Sequence, residues 1–210
     1  MNTSFVIRSA GALALAIGLS ACVDLKPTAD PTRFYVLSVP APGGTNSLSG
    51  AAGPAVFVAS VEVPAYLDNP RLAVRRPPNR IEYVEFHQWA EPLREGLSRC
   101  LRDQLAGWLG GARVHPLTQR RPNGEFLELQ ASLSRFEMTG QNQARLVVRW
   151  RITEARTGQA LHAQESVFER AWTGNSDDYP AVVNALGETL AAWSREVAGV
   201  IGKVSAPARR

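Results

Sequence analysis

The chain has 210 residues, a formal net charge of +4 and 45% hydrophobic residues, which fits a globular protein and excludes an intrinsically disordered one. Its length leaves room for one domain of ordinary size after a short N-terminal segment. Arginine supplies most of the positive charge, and no run of Lys and Arg resembles a nucleic-acid-binding arm, so we expect no nucleic-acid partner.

The N-terminus predicts secretion followed by lipidation. Arg8 precedes an apolar run from Ala10 to Leu19, which is too short to cross a bilayer. The run ends in Leu19-Ser20-Ala21-Cys22, which matches the lipobox of bacterial lipoproteins. We therefore expect residues 1–21 to be a lipoprotein signal peptide and Cys22 to carry covalent diacylglycerol and acyl groups. An ordinary secretory signal with a coincidental cysteine is the alternative.

The residues after Cys22 predict where the mature chain is anchored. Val23 follows the cysteine, which by the sorting rule of enteric lipoproteins favours the outer membrane, facing the periplasm, over the inner membrane. Residues 22–32 contain two prolines and few apolar side chains, so we expect a lipid-anchored tether that reaches about 30 Å. A single domain should then span 33–206, with a polar tail at 207–210.

The first half of this domain reads mainly as strands. Residues 33–39 and 55–63 are rich in aromatic and β-branched side chains, and the second run is apolar enough for a central strand. A Gly/Pro/Ser-rich loop separates them. Residues 71–76 and 80–86 predict a β-hairpin around Pro77-Pro78-Asn79.

A long amphipathic helix should follow the hairpin. The apolar side chains recur every three or four residues from Trp89 to Leu109, and Gly110-Gly111 then ends the pattern. Cys100 lies on the apolar side of this helix and should be a buried, inert thiol. A short strand is predicted at 113–115.

The second half predicts an antiparallel meander and a final helix. The strands are expected at 126–138, 144–152 and 161–172, with a bulge where the apolar alternation shifts phase at Phe136. A helix over 179–203 should begin at a cap formed by Ser176, Asp177 or Asp178. The predicted fold class is α+β, with one mixed, mostly antiparallel sheet and two long amphipathic helices packed against it.

The sequence shows no catalytic or metal-binding motif. Its three histidines, His87, His115 and His162, fall in separate elements without metal-ligand spacing. Nucleophile-elbow, phosphate-loop and dinucleotide-binding patterns are also missing. We therefore expect no enzyme activity, no metal and no cofactor besides the acyl groups on Cys22. An envelope hydrolase with a site assembled from distant residues stays open as an alternative.

The predicted hairpin is rich in arginine. Arg71, Arg75, Arg76 and Arg80 fall within ten residues, and guanidinium groups suit phosphate or carboxylate. Two interpretations follow: a site for a lipid headgroup, or a solvated edge that protects the sheet from pairing.

Several segments resemble a known family when taken together. They are 63–70 (VPAYLDNP), 71–75 (RLAVR) with Asn79, 89–93 (WAEPL) and 33–37 (RFYVL). The resemblance is to the ABC-type transport auxiliary lipoproteins and covers about residues 33–203. It implies a non-catalytic protein that accompanies an MCE-type lipid-transport system, with an MCE-domain protein, a permease and an ATPase as partners. The implied role is to dock or scaffold that assembly at the anchoring membrane, and the oligomeric state, including a homo-oligomer, stays open.

The proline-bracketed loop is the predicted partner-binding surface. Pro64 and Pro70 stiffen the segment between them, so Tyr66 and Leu67 could be held outward as interface anchors at low entropic cost. Packing of Tyr66 under the sheet edge is the alternative. The candidate partner-binding residues are Tyr66, Leu67, Asp68, Arg71, Arg75 and Arg76.

Overall fold

The computed structural model describes residues 29–39, 42, 53–77, 79–120 and 125–205. The predicted signal peptide, Cys22, most of the tether and the 207–210 tail lie outside the described residues. The described residues from Thr32 onward belong to one compact unit. No helix in this part of the chain has the length and apolarity needed to cross a bilayer.

Eight strands form one mixed sheet in the described chain. They are β1 (Arg33–Tyr35), β2 (Ala55–Val58), β3 (Arg71–Arg76), β4 (Arg80–Trp89), β5 (Val114–Pro116), β6 (Phe126–Thr139), β7 (Gln143–Glu154) and β8 (Ala160–Ala171). The hairpin β3–β4 and the meander β6–β7–β8 are antiparallel, as the alternating sequence predicts. The shorter ladders β1–β4, β2–β5, β2–β6 and β3–β6 are parallel.

The long strand β6 organises the sheet. One of its edges pairs with β7 along almost its whole length. The opposite edge pairs first with β2, through Ala55 opposite Phe126, and later with β3, through Val74 opposite Met138. Because both neighbours share one edge of β6, the arginine-rich hairpin lies inside the sheet rather than at its margin.

Two long helices supply the second layer of the α+β fold. Helix α1 spans Leu93–Leu109 and helix α2 spans Tyr179–Val204, and both place their apolar side chains in the core that the sheet lines. Cys100 is buried as predicted, and its thiol donates to the Leu37 carbonyl oxygen at 3.1 Å. Asp178 caps α2 by accepting a hydrogen bond from the Ala181 amide at 3.2 Å.

Several boundaries differ from the prediction. Trp89 ends β4 rather than opening the helix, because Pro92 disfavours helical backbone at the residue before it and α1 begins only at Leu93. The strands predicted at 33–39 and 55–63 end at Tyr35 and Val58. The interpretation of the arginine hairpin as a sheet edge is wrong, since β1 flanks β4 and β6 flanks β3.

The predicted bulge in β6 decides which side chains face the helices. The register against β7 shifts between Leu133 and Arg135. Beyond this shift Phe136 and Met138 point into the core, so the intervening Glu137 points to the opposite face of the sheet. One extra residue therefore places a carboxylate beside the proline-bracketed loop.

Candidate partner-binding site

Tyr66 holds the proline-bracketed loop against the sheet. Residues Ala65–Leu67 form a single 3₁₀ turn, closed by a hydrogen bond from the Leu67 amide to the Pro64 carbonyl oxygen at 2.9 Å. The turn aims the Tyr66 hydroxyl at Glu137 Oε2, 2.6 Å away, and at the Ser134 carbonyl oxygen, 3.0 Å away. The hydroxyl has one proton, which it donates most strongly to the nearer, charged acceptor.

Arg75 completes this cluster. Its Nε donates to Glu137 Oε1 at 2.5 Å, and its guanidinium carbon lies 5.5 Å from the centre of the Tyr66 ring. The Glu137 side chain is only 1% exposed, so these two partners replace the water that its carboxylate has lost. Burial and the hydrogen bond to Glu137 raise the pKa of Tyr66 well above its usual range.

The arrangement corrects the expected orientation of the loop. Leu67 is buried in the core, at 3% exposure, and is therefore no outward anchor. Tyr66 is half-buried and its hydroxyl is used internally, which matches the inward alternative. Asp68 is exposed, so of Tyr66, Leu67 and Asp68 it is the residue most accessible to a partner.

The two strongest family-like segments meet in one open cleft. The cleft has a volume of about 330 Å³ and is lined by residues 68–70 and 89–93. A hydrogen bond from the Trp89 amide to the Pro70 carbonyl oxygen at 2.6 Å joins its walls, and one from the Ala90 amide to the Tyr35 carbonyl oxygen at 2.8 Å ties the second wall to β1. We call this feature the motif cleft.

The motif cleft has an apolar floor and a polar rim. Trp89 and Leu93 form the floor and are 7% and 5% exposed. Asp68 stands at the rim, with its carboxylate 3.6 Å from the Arg94 guanidinium. Such a surface suits an apolar side chain of a partner that carries a polar or basic neighbour.

Glu91 fixes the second wall of the cleft onto helix α1. Its carboxylate accepts a hydrogen bond from Arg99, which also donates to the Leu37 carbonyl oxygen at 3.0 Å. A Cβ atom at Gly96 would lie 3.2 Å from Glu91 Oε1, so the glycine leaves room for this side chain. The hydrogen bond to Glu91 raises the pKa of Arg99.

Most arginines of the hairpin are already paired within the chain. Arg75 binds Glu137, while Arg76 and Arg80 contact Glu82 at 2.8 and 2.7 Å. These ion pairs satisfy the charges that a phosphate would otherwise recognise. Arg71 is exposed and forms no such pair within the described residues, so it is the one freely available cation of the predicted set.

A second concavity lies on the sheet face away from the helices. It measures about 680 Å³ and is lined by β6, β7 and β8 together with Ser60 and Glu62. Its arginines are engaged, because Arg149 pairs with Glu165 at 2.7 Å and Arg151 donates to Gln130 at 2.8 Å. Over the described ranges no group of three His, Cys, Asp or Glu side chains is placed to hold a metal ion.

Two solved structures with TM-scores of 0.65 share the fold of this chain. The alignment with an uncharacterized protein spans 80% of this chain and 97% of that protein, with a TM-score of 0.65 and 19% identity. The alignment with protein XCC0632 from Xanthomonas campestris spans 82% of this chain and 96% of that protein, with a TM-score of 0.65 and 17% identity. A putative lipoprotein from Caulobacter crescentus, with a TM-score of 0.38 and 20% identity, covers 51% of this chain and 81% of its own.

The family follows from the sequence itself. No match was found among curated protein sequences. The family model described as the ABC-type transport auxiliary lipoprotein component matches residues 35–198, which contain the proline-bracketed loop, the motif cleft, helix α1 and most of helix α2. The chain therefore belongs to the family of ABC-type transport auxiliary lipoproteins.

Proposed function

We propose that this chain is the non-catalytic lipoprotein subunit of an MCE-type ABC lipid-transport system. In this role it docks the MCE-domain protein, and through it the permease and ATPase, at the membrane that carries its lipid anchor. The single observation that carries the proposal is the motif cleft. Two segments that resemble the auxiliary lipoproteins, 21 residues apart at Asp68 and Trp89, line one open surface with an apolar floor.

The cleft is pre-organised for docking. Each wall contains a proline, Pro70 or Pro92. The Tyr66–Glu137–Arg75 cluster holds one wall and the Glu91–Arg99 pair holds the other. A surface fixed in this way loses little conformational entropy when a partner binds. The same rigidity suits a scaffold, which must hold a large assembly in one orientation.

The anchor gives this scaffold its location. Acyl chains on Cys22 would contribute about 0.8 kcal/mol per buried methylene, and two or more chains anchor a protein stably where one does not. Val23 favours the outer membrane, with the domain facing the periplasm. The protein would then receive the periplasmic end of a trans-envelope MCE assembly.

Co-purification from the native cells tests this function. The tagged full-length chain is solubilised in mild detergent, and the associated proteins are identified by mass spectrometry. We expect an MCE-domain protein, a permease and an ATPase to be enriched, and Cys22→Ala to lose both membrane association and these partners. Recovery of none of the three with the acylated chain would overturn the proposal.

A further inference from the structure

An exposed apolar patch lies at the beginning of the domain. Five large hydrophobic side chains stand out as exposed in the described part of the chain, and three of them are Phe34 at 63%, Val36 at 54% and Phe86 at 43%. They belong to β1, the segment just after it, and the neighbouring strand β4. Soluble surfaces tolerate such side chains singly, but a cluster indicates contact with an apolar partner.

The strand register places Phe34 and Phe86 on adjacent strands. Phe34 lies opposite Gln88 in the parallel ladder, and Phe86 precedes Gln88 by two residues. Leu37 is buried against the core, and because side chains alternate along an extended chain, Phe34 and Val36 share the outward face. Among the described residues, β1 has β4 as its partner on one side and no strand on the other.

Phe86 occupies a backbone conformation that aromatic residues rarely adopt. Its φ angle is +60°, in the left-handed region where a Cβ atom is unfavourable. The β3–β4 register shifts over the stretch that contains Phe86. Phe86 is 43% exposed, so core packing does not account for its strained backbone, whereas a role for the exposed ring would.

We propose that Phe34, Val36 and Phe86 form a bilayer-contact patch that orients the domain on the membrane. A lipid bilayer is the expected partner of this patch, because β1 begins 11 residues after Cys22, the residue expected to be acylated. A tether of at most about 30 Å keeps the first strand within reach of the headgroup region, where the apolar side chains of interfacial segments, phenylalanine among them, are buried. This inference rests on acylation of Cys22 and goes beyond the docking function.

Site-directed spin labelling of the full-length acylated protein tests the patch. Val36→Cys and Val167→Cys form a matched pair, since these valines are 54% and 50% exposed and Val167 lies on β8, away from the patch. Cys100 is buried and acylated Cys22 cannot react, so the label reaches the introduced cysteine. The protein is placed in vesicles of phosphatidylethanolamine and phosphatidylglycerol, and collisional access of oxygen and of a water-soluble nickel chelate is measured.

The two reagents distinguish contact with lipid from contact with water or with protein. We expect the oxygen-to-nickel accessibility ratio to be severalfold higher at position 36 than at position 167. Equal ratios at the two positions would overturn the proposal. Shielding of position 36 from both reagents would also overturn it, because a protein partner rather than lipid would then cover the patch.

Replacement of Phe86 gives an independent readout. Asparagine adopts a positive φ more readily than phenylalanine, so Phe86→Asn should unfold at the same or a higher urea concentration than the wild type. It should nevertheless lower the oxygen-to-nickel ratio of the label at position 36, as Phe34→Ser should. Vesicle flotation of the same variants measures membrane binding through the acyl anchor separately. Unchanged co-purification of the partner proteins with these variants would show that the docking function does not depend on the patch.

Discussion

Removal of the Tyr66 hydroxyl tests how the proline-bracketed loop is held. In Tyr66→Phe, Glu137 Oε2 loses a donor at 2.6 Å but keeps Arg75 on its other oxygen. The carboxylate is 1% exposed, so water cannot readily take the place of the hydroxyl. A hydrogen bond to a charged group contributes about 1.5–3 kcal/mol, and we expect the free energy of unfolding to fall by about 2 kcal/mol.

Urea denaturation of the full-length protein measures this loss. The midpoint should fall with little change in slope, because the surface exposed on unfolding is nearly the same. Tyr179→Phe is the matched control, since Tyr179 is also half-buried but forms no hydroxyl hydrogen bond within the described structure. A loss in Tyr66→Phe no larger than about 0.5 kcal/mol, the range of ordinary surface substitutions, would refute the reasoning.

Two further predictions concern helix α2 and acid stability. Gly187→Ala should destabilise the protein by about 1–3 kcal/mol, because the added Cβ atom would lie 2.7 Å from the Ser38 carbonyl oxygen. Gly199→Ala has open space around it and should stabilise the protein by about 0.5–1 kcal/mol. Equal shifts of the two variants in thermal unfolding would contradict this prediction. Burial and the charge of Arg33 lower the pKa of His87, whose Nδ1 lies 2.8 Å from the Tyr35 hydroxyl. The unfolded state therefore binds the proton first, so stability should fall as the pH drops below about 6.5, and urea midpoints of His87→Gln should lack this portion of the decline.

Much of the fold could be predicted because its patterns are local. Both long helices and the three strands of the meander carry their own periodicity, and the phase shift in β6 revealed the bulge between Leu133 and Arg135. The parallel pairing of β2 and β3 with one edge of β6 joins segments far apart in the chain. No periodicity within either segment specifies that pairing.

Only the local segments of the candidate site could be predicted from the sequence. The sequence alone identifies the proline-bracketed loop and the 89–93 segment, but their meeting in one cleft depends on the β3–β4 hairpin, which returns Trp89 to a position beside Pro70. Glu137 was missed because its partner Arg75 is 62 residues away, although the phase shift already implied that an acidic residue would leave the core face. Pro92 marks the start of α1, so the sequence itself contains the signal that places Trp89 outside the helix.

Charge reversal at the rim of the motif cleft tests the central claim most directly. Asp68→Lys places a cation where Asp68 now faces Arg94, whereas Glu188→Lys makes the same change on an exposed part of α2. Both acylated variants are purified from native cells, and the co-purified MCE-domain protein is quantified against the wild type. We predict that Asp68→Lys loses the partner severalfold while Glu188→Lys retains it. Equal recovery with the two variants would contradict docking through the motif cleft.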